Sequence, residues 1–181
     1  MIYMFLADGF EETEALVTLD MLRRAGIVVK SAGIGSDELT GAHGIKVKSD
    51  VSAENVNFSD IDAIVLPGGM PGTENLYNSK VVNDAVDYCM KNNITVAAIC
   101  AAPIILGRKG YLQGKKAVCY PGFENELTGA VISDRQSITD GNIITAKGAG
   151  CVFEFSHAII CQLSDINTAD RVISEIQHSG I

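Results

Sequence analysis

Thr95-Val96-Ala97-Ala98-Ile99-Cys100-Ala101-Ala102-Pro103 is the stretch on which the reading of this 181-residue chain turns. Its first five residues form a short, continuous apolar run, the pattern of a strand buried on both faces. Cys100 follows with no linker. Pro103 then stands where the first turn of a helix tolerates a residue lacking an N–H, and Ile104-Ile105-Leu106 continue the apolar character. A buried strand passing directly into a helix is one half of a βαβ unit.

The same alternation extends in both directions. Met1–Leu6 is a second buried run, ending at Asp8-Gly9. A helix is expected from near Glu12, with Leu16, Leu19 and Leu22 at three-residue spacing, Arg23-Arg24 suiting its last turn and Gly26 capping it. Ile27–Ala32 reads as a strand, and Gly44–Lys48 alternates like an exposed strand forming half of a hairpin. Ile61–Leu66 runs into Pro67-Gly68-Gly69-Met70-Pro71-Gly72, after which Val81, Val82, Ala85, Val86, Cys89 and Met90 recur at helical spacing. Lys116–Tyr120, Val131–Ser133 and Ser137–Thr139 read as strands, and Gly141-Asn142 turns the chain into Ile143–Ala146. Gly148-Ala149-Gly150 introduces a helix over Val152–Leu163, and Ala169–Gln177 reads as a terminal helix. The expectation is an α/β fold, a mainly parallel sheet covered by helices on both faces, in one domain over residues 1–181. Functional loops of such a sheet lie beyond the carboxyl ends of its strands: Asp8–Glu14, Gly68–Gly72, Cys100–Pro103 and Lys147–Cys151.

Composition narrows the function classes. Apolar residues make up 47% and charged ones 20%, which is globular composition, and the formal charge of −8 repels nucleic-acid backbones and anionic membranes. Acidic residues follow Leu6 at once, so no signal peptide is read, and no run reaches the length of a membrane span. A cytoplasmic protein is expected, in which cysteines stay reduced. The five cysteines show no CxxC and no Cys/His spacing, so neither a disulfide framework nor a metal site is expected, and no cofactor is implied.

Among those cysteines Cys100 stands apart. A sharp strand-to-helix turn lifts a nucleophile above the sheet edge and turns backbone N–H groups toward an oxyanion. The following helix is expected to lower the thiol pKa. Cys89 and Cys161 lie within apolar helical patterns and Cys119 within a strand, so they read as core; Cys151, which opens a helix, is the one accessory thiol. Glu11, Glu12 and Glu14 sit on the same side of the sheet as Cys100, and any one of them could turn inward to share its proton. Gly68 and Gly69 read as pocket backbone, because the loop lacks the residues of a P-loop or dinucleotide site. His43, His157 and His178 fit no metal spacing.

These motifs resemble the DJ-1/ThiJ/PfpI family, cysteine proteins related in fold to class I glutamine amidotransferases. The resemblance runs from about Met1 to Leu163. It rests on Asp8-Gly9-Phe10-Glu11-Glu12-Thr13-Glu14, Val65-Leu66-Pro67-Gly68-Gly69, Ala97–Pro103, and Thr145–Gly150 before Phe153-Glu154-Phe155, and is closer to the DJ-1-like branch than to the protease-like one. It implies a flavodoxin-like three-layer sandwich, usually a homodimer, with Cys100 as the nucleophilic, oxidation-sensitive cysteine and Glu14 as its hydrogen-bonding partner. Gly69 and Ala101 match positions whose N–H groups line the pocket. The sequence departs where many enzymatic members carry a histidine before a proline: Tyr120 precedes Pro121 here, and a phenol is a poor proton shuttle at neutral pH. Where some relatives have an arginine near the dimer-side pocket, this chain offers His43. The activity implied is cofactor-independent glyoxalase or deglycase chemistry on reactive dicarbonyls or glycated adducts. The alternatives are an oxidative-stress sensor holding a Cys100 sulfinate without turnover, which Tyr120 favours, and, last, a cysteine peptidase.

Overall fold

A computed structural model of the chain describes residues 1–180. In chain order its elements are β1 (Ile2–Leu6), α1 (Glu12–Arg24), β2 (Val29–Gly33), β3 (Glu38–Thr40), β4 (Lys46–Lys48), β5 (Val51–Ser52), β6 (Ala63–Leu66), α2 (Gly72–Asn78), α3 (Lys80–Lys91), β7 (Thr95–Ile99), α4 (Pro103–Arg108), β8 (Lys116–Ala117), β9 (Val131–Ile132), β10 (Ser137–Asp140), β11 (Ile143–Ala146), α5 (Val152–Leu163) and α6 (Ile166–Glu175). Seven strands form one sheet in the order β10-β11-β7-β6-β1-β2-β5, parallel throughout except for β10.

The uniformly apolar strands are explained by a sheet buried on both faces. Tyr3 and Phe5 of β1, Ile64 and Leu66 of β6, and Val96 and Ala98 of β7 pack on one side, with α3 and α4. Ile2, Met4 and Leu6, Ala63 and Val65, and Ala97 and Ile99 pack on the other, with α1, α5 and α6. Successive side chains point to opposite faces, so these central strands supply two cores at once, which is why they are mostly apolar. The result is the flavodoxin-like three-layer sandwich. Burial of each large apolar side chain contributes about 1.5–3 kcal/mol.

The order of strands decides where the loops meet. From β1 the chain steps outward to β2 on one side, then returns to lay β6, β7 and β11 on the other. The switch point therefore falls between β1 and β6, and crevices at such points are where open α/β sheets bind ligands. Glu14 enters from the first turn of α1, which follows β1, Gly68 from the loop after β6 and Cys100 from the end of β7. All three stand at the same edge of the sheet.

Several expectations are corrected. β2 begins at Val29 rather than Ile27, and Val28 is left exposed. The strand expected over Lys116–Tyr120 ends at Ala117. Beyond it, Val118 donates its N–H to Thr145 Oγ1 at 3.0 Å and Tyr120 donates to the carbonyl of Cys100 at 2.8 Å, so Cys119 lies in irregular backbone tied to the site. Helix α2 carries no periodic signal in the sequence, because Leu76 is its one fully buried large apolar residue. Helix α6 starts at Ile166, three residues earlier than expected, where Asp165 accepts the Thr168 N–H at 2.9 Å as N-cap. On α1, Leu19 and Leu22 are buried but Leu16 is 36% exposed, because the helix meets α5 through its Ala15, Thr18 and Leu19 side. The expected hairpin is present as β3 paired antiparallel with β4. Among the described residues no helix is long and apolar enough to cross a membrane.

Candidate active site

Cys100 occupies the turn between β7 and α4 with φ of +65°, in the left-handed region that side chains other than glycine's rarely adopt. Two hydrogen bonds hold it there. Its N–H donates to Ala146 O of the neighbouring strand at 2.9 Å, and its carbonyl accepts from Tyr120 N–H at 2.8 Å. Backbone strain of this kind costs of order 1–3 kcal/mol and persists only where the surroundings over-determine it. Its effect is to project a half-buried thiol out of the sheet edge toward the N–H groups of Gly69 and Ala101.

Glu14, on the first turn of α1, points inward and is 1% exposed. Its Oε2 accepts the Gly68 N–H at 2.8 Å. Its Oε1 is buried without a nitrogen or oxygen partner, and the group beside the carboxyl is the Cys100 thiol. Gly68 makes this approach possible. A Cβ there would stand 2.5 Å from Cys100 Cβ and 2.8 Å from Glu14 Oε2. Gly69, at φ +90°, is equally restricted, since a Cβ would lie 2.4 Å from the Glu11 nitrogen.

The electrostatics differ from expectation. Burial, with the neighbouring Glu14 adding to it, pushes the Cys100 thiol up to about 12, against the opposing pull of the Gly69 and Ala101 N–H groups. Burial and the neighbouring carboxyl thus outweigh the lowering expected from the following helix. Burial also raises Glu14 from 4.5 to about 7, against the Gly68 N–H and the thiol that favour its anion. The pair resists carrying two negative charges, so the thiol is activated by a base poised near neutrality rather than by standing ionised.

The three glutamates left open by the sequence now separate by role. Glu11 caps α1, accepting the Thr13 N–H at 3.4 Å. Glu12 is also buried, but it faces the β3–β4 hairpin: it accepts the N–H of His43 at 2.7 Å and of Ile45 at 3.3 Å and meets His43 Nδ1 at 2.9 Å. Burial works to raise the Glu12 pKa, yet these hydrogen bonds together bring it below the ordinary value, and the same contact raises that of His43. Glu11, Glu12 and His43 place ligand atoms within 4.8 Å of one another, but Glu12 already spends both oxygens on His43 and Ile45, so the cluster clamps a hairpin.

Cys100, Glu14, Gly68, Gly69 and Ala101 thus converge. Tyr120 borders them, half exposed, its ring packed edge-on to Phe123 at 6.5 Å between centroids. Gly148, which the sequence offered only as part of a loop, lies between: a methyl group there would be 3.3 Å from Tyr120 Cδ2 and 3.9 Å from Cys100 Sγ. Cys151 and His43 are engaged elsewhere. The Cys151 thiol contacts Gln136 Oε1 at 3.0 Å, and His43 is held by Glu12. Cys89 is wholly buried, as read. Cys161 sits 3.6 and 4.0 Å from the two ring nitrogens of His157, whose Nε2 lies 2.8 Å from Asp170 Oδ1. Surface grooves of about 580 Å³ beside Gln136 and Glu154, about 570 Å³ beside Met1, Ile27 and Leu163, and about 510 Å³ beside Val131 and Ile132 do not include Cys100.

Comparison with known proteins agrees with this geometry. The model of the DJ-1/PfpI family matches residues 1–162. Protein dj-1beta of Drosophila melanogaster is 35% identical over 162 residues, covering 88% of this chain and 87% of that one. Protein DJ-1 homolog A of Arabidopsis thaliana is 39% identical over 173 residues, 93% of this chain, which spans 44% of the longer plant protein. The solved structure of oxidized Toxoplasma gondii DJ-1 superposes with a TM-score of 0.95 at 29% identity, covering 99% of this chain and 98% of that one.

Proposed function

The chain belongs to the DJ-1/PfpI family, and on that premise we propose that it is a cofactor-independent cysteine enzyme of glyoxalase or deglycase type, acting on reactive dicarbonyls or their adducts. The observation that carries this reading is the apposition of the strained, half-buried Cys100 thiol to the buried Glu14 carboxyl between the Gly69 and Ala101 N–H groups. Ionised Glu14 takes the thiol proton as Cys100 Sγ bonds to the aldehyde carbon of an α-oxoaldehyde. The carbonyl electron pair moves onto oxygen, where the Gly69 and Ala101 N–H groups stabilise it until it is protonated, giving a hemithioacetal. Glu14 then moves a proton from the former aldehyde carbon to the neighbouring carbonyl carbon by way of an enediol. The product is a 2-hydroxy thioester, and water cleaves it to the hydroxy acid and free thiol. No electrons are gained or lost overall, which is why no cofactor is needed. Tyr120 stands where many enzymatic relatives have histidine, so Glu14 carries the proton traffic alone. Lactate formation from methylglyoxal, compared between wild type and Cys100→Ala, tests the reading; a wild type no faster than buffer overturns it.

One observation favours a second reading. Glu14 Oε1 is buried beside Cys100 without a nitrogen or oxygen partner, and when protonated it would donate to an oxygen of a Cys100 sulfinate. In that reading the protein senses oxidants without turnover, and the Toxoplasma gondii relative solved in oxidized form lends it support. Mild peroxide should then add two oxygens by intact mass, and a shift that persists in Cys100→Ser would exclude Cys100 as its site. A peptidase reading is not favoured, since His43 is occupied by Glu12 and His157 by Asp170 and Cys161, so neither histidine is paired with Cys100. A cytoplasmic homodimer of one-domain chains completes the proposal.

A further inference from the structure

We propose that the Tyr120 ring is the wall on which the non-reacting substituent of the substrate packs, giving the site a preference for flat, aryl-type groups beside the reactive carbonyl. The inference rests on Cys100 as the reacting thiol. It begins with position: the Tyr120 N–H is bonded to the Cys100 carbonyl and the Val118 N–H to Thr145 Oγ1, so the segment that presents the ring is fastened to the strand ends that present the thiol. The ring is further fixed by its edge-on packing against Phe123 and by the Phe123 N–H donated to the Tyr120 carbonyl. Yet Tyr120 remains 51% exposed, with surface left for another group to cover. Gly148 supplies the space. The point its missing Cβ would occupy is 3.3 Å from the ring and 3.9 Å from the sulfur, so position 148 puts no side chain between thiol and ring. A planar substituent carried by the carbon that bonds Cys100 Sγ would lie beside the ring with its face or edge to it, whereas a methyl group would reach little of it. Among the described residues the Tyr120 hydroxyl makes no hydrogen bond, so what the ring offers the site is its apolar surface.

The test reads the thiol's selectivity rather than turnover. Alkylation of Cys100 by 2-iodo-N-phenylacetamide and by iodoacetamide is followed by peptide mass, and the ratio of the two rates is divided by the same ratio for glutathione. The wild type should show a normalised ratio well above one. In Tyr120→Ala that ratio should fall about two- to twelvefold, the range expected for loss of one aromatic contact. Tyr120→Phe should retain it, and Tyr120→Leu, which keeps bulk without a π face, should not. Gly148→Ala, whose backbone at φ 164° is extended and open to alanine, should lower the ratio by filling the gap. A wild-type ratio of one, or one unchanged in Tyr120→Ala, overturns the proposal. Turnover of phenylglyoxal and methylglyoxal is measured alongside. If neither is consumed, the enzymatic reading fails while the alkylation ratio still decides the role of Tyr120.

Discussion

At Cys100 the chain gives up stability to place a sulfur atom. A φ of +65° costs an L-residue roughly 1–2 kcal/mol, and glycine nothing comparable. Cys100→Gly should therefore unfold at a higher urea midpoint than Cys100→Ala, by about 1 kcal/mol in free energy, although neither has a nucleophile. Equal stabilities would mean that the turn stores no strain. Glu14 makes a second such sacrifice, and its sign is definite. With its pKa at 4.5 in the unfolded chain and about 7 in the folded one, the folded state holds the proton more tightly. Between those values the unfolded chain ionises first, so stability falls as pH rises from about 4.5 to 7, by on the order of 3 kcal/mol in all. Glu14→Gln should lose that slope and melt above wild type at pH 8. As base, the same group should make kcat/KM rise with pH and level off above about 7, a limb absent from Glu14→Gln. The presence of a positioned thiol at Cys100 was legible from the strand and Pro103 on either side of it. Selection of Glu14 among three acids was not, because all three have buried or half-buried side chains and only their partners distinguish them; there the family resemblance supplied what spacing could not.

Among the elements, those with a strong pattern were legible to the residue. Thr95–Ile99, Ile143–Ala146 and Val152–Leu163 have the same bounds in the fold as in the sequence reading, because each is apolar enough to be buried whatever its neighbours. The stretch after Ala117 was not, because its partners are a side-chain hydroxyl and the carbonyl of the nucleophile rather than another strand. That connection can be tested. Thr145 is fully buried and its Oγ1 accepts the Val118 N–H. Thr145→Val leaves a buried donor unpaired, and should cost about 1–3 kcal/mol in urea unfolding while loosening the segment that carries Tyr120. Thr145→Ser, which keeps the oxygen, should recover most of that loss. A Thr145→Val protein as stable as wild type would show that the hydroxyl is not what holds the segment.

For the whole molecule, the sheet order is what turns scattered residues into a site. β1, β6 and β7 are adjacent, so the segments bearing Glu14, Gly68 and Cys100 meet at the switch point although they are far apart in sequence. The alternation of strands and helices made that edge readable in advance, whereas the closeness of Gly148 and Tyr120 to the thiol depends on tertiary approach and left no mark in the pattern. The net charge of −8 adds a prediction at this scale: copies of the chain repel one another in dilute buffer, so a homodimer should be strengthened by salt, with sedimentation equilibrium giving twice the chain mass at about 0.15 M salt. A single-chain mass at every salt concentration would count against the dimer. The central claim, that a Cys100–Glu14 pair converts α-oxoaldehydes to hydroxy acids, is tested most directly by measuring lactate produced from methylglyoxal by wild type, Cys100→Ala and Glu14→Gln side by side. The account predicts lactate from the wild type, none above buffer from Cys100→Ala, and a rate at least a hundredfold down, roughly the contribution of one general base, in Glu14→Gln. Lactate from Cys100→Ala at the wild-type rate, or none from the wild type, would contradict it.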